Sequence, residues 1–439
     1  MSYEIVIGRD EEDKALFGTK GTIFIGKQYV KMGQTTSLSN NIYIDVLRSH
    51  VVFICGKRGS GKSYSMGVIA EGMANIDFEV AKNLSVIMLD TMGIYWTMKY
   101  PNEKEKQMLR DWGLEPKGLD VKIYTPIGYY EKIKAEGIPT DYRFAIKPSE
   151  LSAYDWCLTF GIELTSDLGV FIERVISEMQ EERTDYEVID IIKKIKASPG
   201  GEIVKIAAEN RFFAANSWGL FSKKATKIGD ISKGGQVSVI DLSCYTILPG
   251  AEGIRALVIG LISKKLFIER MIERKKEEVD SIKSSEMFSY RNEEKKVEKP
   301  LVWVVVDEAH EFLPKEGKTA ATEALITLLR EGRQPGISLI LASQQPGKIH
   351  TDVMTQSDIV LAHRITAKID TDALGTLMQS YMREGLDIKL NNLPDTKGSG
   401  IIFDDINERL FPMLVRPRLT WHGGGSPSAI NESKKRYPF

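Results

Sequence analysis

The chain has 439 residues, 42% of them hydrophobic, and its 59 basic residues nearly balance its 60 acidic residues. This composition supports a large core and excludes an intrinsically disordered chain, and the length is that of about two to three domains. The sequence has no apolar run of the roughly 18 residues that are needed to cross a bilayer, and it opens without a signal-peptide pattern. We therefore expect no membrane association, and the near-neutral charge gives no global indication of a nucleic-acid partner.

The cysteines and histidines exclude two further classes. Cys55, Cys157 and Cys244 are few and scattered, which argues against a disulfide framework and favours a reducing, cytoplasmic location. The histidines do not form the paired spacing of a structural zinc site.

Residues 1–45 predict a small β-module. Apolar, β-branched runs occur at 4–8, 21–26 and 41–45, and turn-forming residues separate them. The segment is too short for a complete barrel with its own core. A sheet extension packed on the main domain explains the pattern equally well.

The chain changes character at residue 51, where strands of the buried type begin to alternate with helical stretches. These strands are predicted at 51–55, 85–90, 237–241, 301–306, 338–342 and 358–361. Continuous apolar strands between helices indicate an α/β fold, with a mostly parallel sheet covered by helices on both faces.

The spacing of the strands divides the chain further. The long gap between the second and third strands predicts a mainly helical insertion at 100–235, and apolar residues at helical spacing occur within 165–215. The core then comprises residues 46–99 and 236–422, and the Gly-rich stretch that opens 423–439 predicts a flexible tail. Residues 271–300 are highly charged but neutral overall, which favours a helix continued by a solvated linker over a nucleic-acid arm.

Residues 56–63 match the phosphate-binding pattern G-x-x-x-x-G-K-[ST], and they lie between a predicted strand and a predicted helix. Glycines in this loop let backbone N–H groups turn towards phosphate oxygens at a helix N-terminus. We expect Lys62 to reach the β- and γ-phosphates of ATP and Ser63 to bind Mg²⁺. The residues predicted to bind the nucleotide are Gly56, Lys57, Arg58, Gly59, Ser60, Gly61, Lys62, Ser63 and Tyr64.

Two acidic residues end the hydrophobic strand at 301–306. Ligands of open α/β sheets bind at the carboxyl ends of strands, so Asp307 is predicted to complete the Mg²⁺ site. Glu308 is the candidate base that orients and deprotonates the attacking water.

Two polar residues flank the next strand. Gln344 follows it and is predicted to sense the γ-phosphate, with a loop or capping role as the alternative. Arg333 precedes it and can act as an arginine finger on the nucleotide of a neighbouring subunit, with a surface salt bridge as the alternative.

Residues 307–310 read Asp-Glu-Ala-His, a string that also occurs in superfamily 2 helicases. Their Ser-Ala-Thr motif is missing, and the chain after residue 345 is too short for their second domain.

The combination and order of the motifs resemble the HerA-like ATPases of the HerA–FtsK superfamily. The residues that carry the resemblance are 56–63, 239–243, 304–310, 330–333 and 343–346, with a terminal strand pair at 398–403 and 412–416. The resemblance implies a RecA-like P-loop core and a homo-hexameric ring that translocates double-stranded DNA. It also implies that ATP and Mg²⁺ lie between protomers, that Arg333 acts in trans, and that a NurA-like nuclease is a possible partner.

Other functions remain open from the sequence. One alternative is a nucleotide-dependent assembly or regulatory ATPase without DNA translocation, for example in a defence complex. Another is a motor for a viral genome or a conjugative element.

Overall fold

The computed structural model describes residues 4–32, 35–182, 185–246, 248, 252–286, 299–365, 368–377, 390 and 393–425. The strands in these residues are β1 (Ile5–Ile7), β2 (Thr22–Met32), β3 (Thr35–Asp45), β4 (Val51–Cys55), β5 (Leu84–Asp90), β6 (Lys122–Pro126), β7 (Tyr142–Phe144), β8 (Val237–Asp241), β9 (Leu301–Val306), β10 (Ile337–Ser343), β11 (Ile359–His363), β12 (Ser399–Asp404) and β13 (Arg409–Val415).

The helices in the same residues surround this sheet. They are α1 (Glu11–Phe17), α2 (Lys62–Ala74), α3 (Phe78–Ala81), α4 (Lys106–Asp111), α5 (Ile127–Ala135), α6 (Ala153–Phe160), α7 (Asp167–Glu182), α8 (Val188–Ala197), α9 (Glu202–Ser217), α10 (Ile228–Ile231), α11 (Glu252–Glu286), α12 (Thr322–Glu331), α13 (Thr351–Gln356) and α14 (Lys368–Leu377).

All the strands of the described residues form one sheet, in the order β1-β3-β2-β13-β12-β11-β4-β10-β9-β5-β8-β6-β7. From β11 to β7 every neighbouring pair is parallel. Successive residues of β4 enter different cores, since Phe53 packs with one buried cluster and Ile54 with the other. A strand that buries both of its faces must be covered on both sides. The predicted α/β core, a mostly parallel sheet with helices on both faces, is therefore confirmed.

The N-terminal strands extend this sheet, which is one of the two arrangements that the sequence left open. β2 pairs antiparallel with β3 and with β13. The segment also contains α1, which the sequence analysis did not predict. Asp10 caps this helix by accepting a hydrogen bond from the backbone N–H of Asp13. The domain boundary at residue 45 stays a prediction.

A buried charge network joins the N-terminal strands to the core. Arg9 Nε donates to Asp45 Oδ1 at 3.0 Å. The ring of His50 lies between two carboxylates, with Nδ1 2.6 Å from Asp358 Oδ2 and Nε2 3.1 Å from Asp45 Oδ2. Although burial lowers it, these hydrogen bonds raise the pKa of His50 to about 9. The imidazolium therefore links the end of β3 to the residues that precede β4 and β11.

The insertion at 100–235 contributes both strands and helices. Its strands β6 and β7 continue the sheet beyond β8, which the sequence analysis missed. The reason lies in their composition, because β6 mixes Lys, Tyr and Thr and ends in Pro126, while β7 has only three residues. The helices α7, α8 and α9 confirm the helical prediction for 165–215.

The C-terminal part of the core matches the expectation from the sequence. β12 and β13 form the predicted terminal strand pair, and the structure shows that they are antiparallel. Helix α11 continues into the charged segment as expected. Residues 287–298, which belong to the linker predicted in the second half of 271–300, and residues 426–439 of the predicted tail lie outside the described residues. No helix among the described residues is long and apolar enough to span a membrane.

Candidate nucleotide site

The predicted phosphate loop lies between β4 and α2. Gly59 and Gly61 have φ angles of 76° and 118°, a backbone conformation that residues with a Cβ seldom adopt. A Cβ at Gly56 would lie 2.5 Å from Ser60 Oγ and 2.7 Å from His363 Cβ, so only glycine fits there. These three positions allow the backbone N–H groups to converge at the start of α2.

Backbone hydrogen bonds to residues next to β11 and β12 hold this loop in place. Lys57 N donates to Arg364 O at 3.1 Å, and Gly398 N donates to Ser60 O at 3.3 Å. The loop is therefore anchored to residues at the end of β11 and the start of β12.

Burial lowers the pKa of His363 to about 4, so its ring is neutral. Each of its two nitrogens has a hydrogen-bonding neighbour. Its Nδ1 lies 3.0 Å from Ser399 O and its Nε2 lies 2.9 Å from Ser65 Oγ. Since a carbonyl can only accept, Nδ1 carries the proton, and Nε2 is left as an acceptor for the Ser65 hydroxyl, which also lies 3.1 Å from Gly61 O. Sequence analysis missed His363, because no motif marks a side chain that supports the loop from an adjacent strand.

The side chains of Lys62, Ser63 and Asp307 meet at the carboxyl edge of the sheet. Lys62 Nζ donates to Gly56 O at 3.1 Å and to Lys57 O at 3.3 Å. Ser63 Oγ donates to Asp307 Oδ2 at 2.7 Å. Burial raises the pKa of Asp307, and the Ser63 hydroxyl opposes this effect. A hydroxyl and a carboxylate in contact are the oxygen ligands that Mg²⁺ prefers, so these residues fit the predicted ion.

Glu308 and Gln344 are also brought together. Gln344 Nε2 donates to Glu308 Oε1 at 2.9 Å. The other carboxylate oxygen, Oε2, is buried and makes no hydrogen bond within the described residues, and His310 Nδ1 lies 3.5 Å from it. Burial and the charge of Asp307 raise the pKa of Glu308 to about 7. A buried carboxylate oxygen that makes no hydrogen bond and has this pKa is suited to accept a proton at neutral pH.

The backbone of Glu308 is unusual. Its φ is 49° and its ψ is 43°, the left-handed region that side chains other than glycine seldom adopt. Such conformations persist where the surrounding structure holds them, often at functional sites. Here the backbone N–H of Glu308 donates to Asp307 Oδ1 at 2.8 Å.

Arg333 does not lie near the phosphate loop. It sits in the turn between α12 and β10, at the amino edge of the sheet, whereas the phosphate loop is at the carboxyl edge. The side chain is exposed and lines a cavity of about 470 Å³ together with Arg48, His50 and Arg270. The structure therefore does not bring Arg333 to the nucleotide site of its own chain.

The family model described as "Helicase HerA, central domain" matches residues 25–341, well over half of the chain. The chain belongs to the HerA helicase family. As a member of this family it is a P-loop ATPase, and the resemblance inferred from its motifs is confirmed.

Two curated HerA proteins are similar in sequence. A probable DNA double-strand break repair helicase HerA from Methanocaldococcus jannaschii is 24% identical over 390 residues, which cover 79% of this chain and 69% of that protein. The DNA double-strand break repair helicase HerA of Pyrococcus furiosus is 30% identical over 148 residues, 32% of this chain and 26% of that protein.

The fold of this HerA-family chain is also similar to a solved structure. VirB4 of Thermoanaerobacter pseudethanolicus superposes with a TM-score of 0.55 at 14% identity, over 94% of this chain and 98% of that one. At this identity the likeness concerns the fold alone.

Tyr64, the last residue of the predicted nucleotide set, contacts the C-terminal segment. Its hydroxyl donates to Glu105 Oε2 at 2.8 Å and accepts from Arg418 N at 2.7 Å. Its ring meets the ring of His422 edge-on, with centroids 5.2 Å apart. The Tyr64 side chain is thus engaged within the protein, and a nucleotide contact from its backbone stays a prediction.

The same segment binds the buried carboxylate of Glu71, which the sequence analysis also missed. Arg416 Nη1 donates to Glu71 at 3.1 Å and Arg418 Nε at 3.0 Å. The backbone N–H groups of Leu419 and Thr420 add bonds of 2.9 and 3.1 Å. An acidic residue inside the otherwise apolar stretch of α2 was the available signal. This cluster locks the residues after β13 onto the helix that begins at the phosphate loop.

Proposed function

We propose that this chain is an ATP-driven motor that translocates double-stranded DNA as a homo-hexameric ring. The observation that carries the proposal is that two hydrogen bonds, Ser63–Asp307 and Gln344–Glu308, lie together beside the phosphate loop. The names of the two curated relatives, both DNA double-strand break repair helicases, support DNA as the substrate.

The proposed roles follow from the position of each side chain. The backbone of residues 56–61 and Lys62 bind the phosphates of ATP. Ser63 and Asp307 would hold Mg²⁺, which neutralises charge on the β- and γ-phosphates when it is bound.

Hydrolysis requires a base and a group that orients it. Glu308 Oε2 accepts a proton from water as the water oxygen attacks the γ-phosphorus, and the bond to the β-phosphate oxygen breaks to leave ADP. Gln344 holds Oε1 and so fixes the direction of Oε2. The raised pKa of Glu308 makes its carboxylate a better base than an exposed one.

The ring is proposed because Arg333 is far from its own nucleotide site. Its side chain is exposed at the opposite edge of the sheet, and we propose that it contacts the γ-phosphate of a neighbouring protomer. A head-to-tail contact of this kind closes into a ring when the rotation between protomers permits it. A NurA-like nuclease is the partner proposed for such a ring, and a cytoplasmic location stays part of the proposal.

The deciding experiment compares ATP turnover with and without linear duplex over a series of salt concentrations. A DNA motor should be stimulated by duplex, and the stimulation should fall steeply with salt because phosphate contacts release counterions. Equal rates with and without duplex at every salt concentration would favour a regulatory or assembly ATPase. Electron microscopy with a non-hydrolysable ATP analogue and duplex would test the ring and its stoichiometry.

A further inference from the structure

Two loops leave the catalytic edge of the sheet and join each other. One follows Glu308 at the end of β9, and the other follows Gln344 at the end of β10. Pro314 and Ile349 form an antiparallel bridge between them. We call residues 313–315 and 348–350 the two-loop ribbon.

Backbone hydrogen bonds define the ribbon. Lys315 N donates to Lys348 O at 2.9 Å, and His350 N donates to Leu313 O at 2.8 Å. The base of the ribbon is buried, since Leu313 and Ile349 are 0% and 2% exposed. The ribbon is therefore a fixed element with one end in the core.

The pairing places two lysines opposite each other. Because Pro314 faces Ile349 and Lys315 N donates to Lys348 O, Lys315 and Lys348 are the next residues opposite each other. Both lysines are exposed, whereas Ile349, next to Lys348, is buried. Like charges directly opposite each other destabilise a strand pair, unless an anion lies between them.

The two amines are also free to bind an anion. Lys318, at the tip of the first loop, pairs with Glu323 at 3.1 Å. Among the described residues no ion pair of Lys315 or Lys348 occurs. The tip itself is open, because a Cβ at Gly317 would meet no atom within 4 Å.

We infer that the two-loop ribbon contacts the phosphate backbone of the DNA, through Lys315 and Lys348. The inference rests on the proposed DNA translocation and adds the surface that performs it. Lys315 lies in the loop that follows Glu308, and Lys348 lies in the loop that follows Gln344. A DNA phosphate that both lysines bind is therefore connected to Glu308 and to Gln344 by short stretches of backbone. The lysines at 223, 224 and 227 in the insertion are the competing surface.

The test measures the affinity for duplex in the presence of a non-hydrolysable ATP analogue, over a salt series. The doubly substituted Lys315→Ala/Lys348→Ala protein should bind at least about tenfold more weakly. The slope of its log affinity against log salt concentration should become shallower by about 0.9 for each DNA phosphate that a lysine no longer neutralises. The Lys315→Arg/Lys348→Arg protein, which keeps both charges, should retain the parental slope.

The matched control is Lys223→Ala/Lys224→Ala, which removes the same charge from the insertion and should bind like the parent. Parental affinity and slope in the ribbon variant, or a weaker affinity in the control variant alone, would overturn the assignment. A ribbon variant that changes the oligomer size while its protomers bind duplex normally would instead show a subunit contact, which also overturns it. If the parent protein itself fails to bind duplex, the proposed function fails, and the ribbon assignment fails with it.

Discussion

Gln344 Nε2 donates a 2.9 Å hydrogen bond to Glu308 Oε1, while Glu308 Oε2 is buried without a hydrogen bond in the described chain and lies 3.5 Å from His310 Nδ1. One oxygen of the carboxylate is thus fixed and the other is available to a substrate. Gln344 directly follows β10 and Glu308 follows the neighbouring strand β9, so a shift between β9 and β10 would change the direction of Oε2. This arrangement links the geometry of the sheet to the position of the base.

Replacing the base should separate binding from hydrolysis. Glu308→Gln keeps the size of the side chain but cannot accept the proton, so we expect ATP turnover to fall by about 10²–10⁴-fold. ATP affinity, measured by titration with a fluorescent analogue, should stay within about threefold of the parent. Glu136→Gln, at the exposed position just after α5, is the control and should leave turnover unchanged. Turnover within tenfold of the parent in Glu308→Gln would show that another group is the base.

Arg333 should act on a neighbouring subunit. Arg333→Ala is expected to reduce turnover by about 10³-fold or more, because a trans arginine stabilises the transition-state charge. Lys62→Ala should abolish nucleotide binding. Mixed rings contain sites that combine an intact Lys62 with an intact Arg333 from the neighbour, so mixing the two inactive proteins should restore turnover. Mixtures as inactive as either parent variant would place Arg333 outside the reaction.

His50 should make stability depend on pH. Its pKa rises from an ordinary value of about 6.5 to about 9 on folding, so its stabilisation is complete below pH 6.5 and is lost as the pH rises through 9. The full effect is on the order of 3 kcal/mol. Chemical unfolding of the parent and of His50→Gln should show a difference in unfolding free energy that shrinks over this range. Two curves that stay parallel from pH 6 to pH 9.5 would contradict the charged state assigned to His50.

Glu71 should be essential for stability. Its carboxylate is fully buried between Arg416 and Arg418. Glu71→Gln leaves two buried guanidinium groups without their counter-charge, so we expect a decrease of about 3–5 kcal/mol in the free energy of unfolding. The exposed Glu79→Gln, on α3, is the control and should change stability by less than about 0.5 kcal/mol. A decrease below about 1 kcal/mol in Glu71→Gln would mean that the segment after β13 is not held by this cluster.

The sequence alone determined the parts of this protein whose signal is local. The phosphate loop at 56–63, the buried strand that delivers Asp307 and Glu308, and the helices of the insertion are each specified within a short stretch. In such stretches neighbouring side chains and backbone preferences dominate. The fold class followed as well, because continuous apolar strands require cover on both faces.

Only the tertiary structure decided which distant residues meet. It put Ser63 against Asp307, His363 beneath the phosphate loop, and Arg416 and Arg418 on Glu71. It also joined the N-terminal strands to the sheet through β13 and separated Arg333 from the nucleotide site of its own chain. These contacts depend on strand order and register, which arise from the packing of the whole chain, and no single stretch of sequence encodes them.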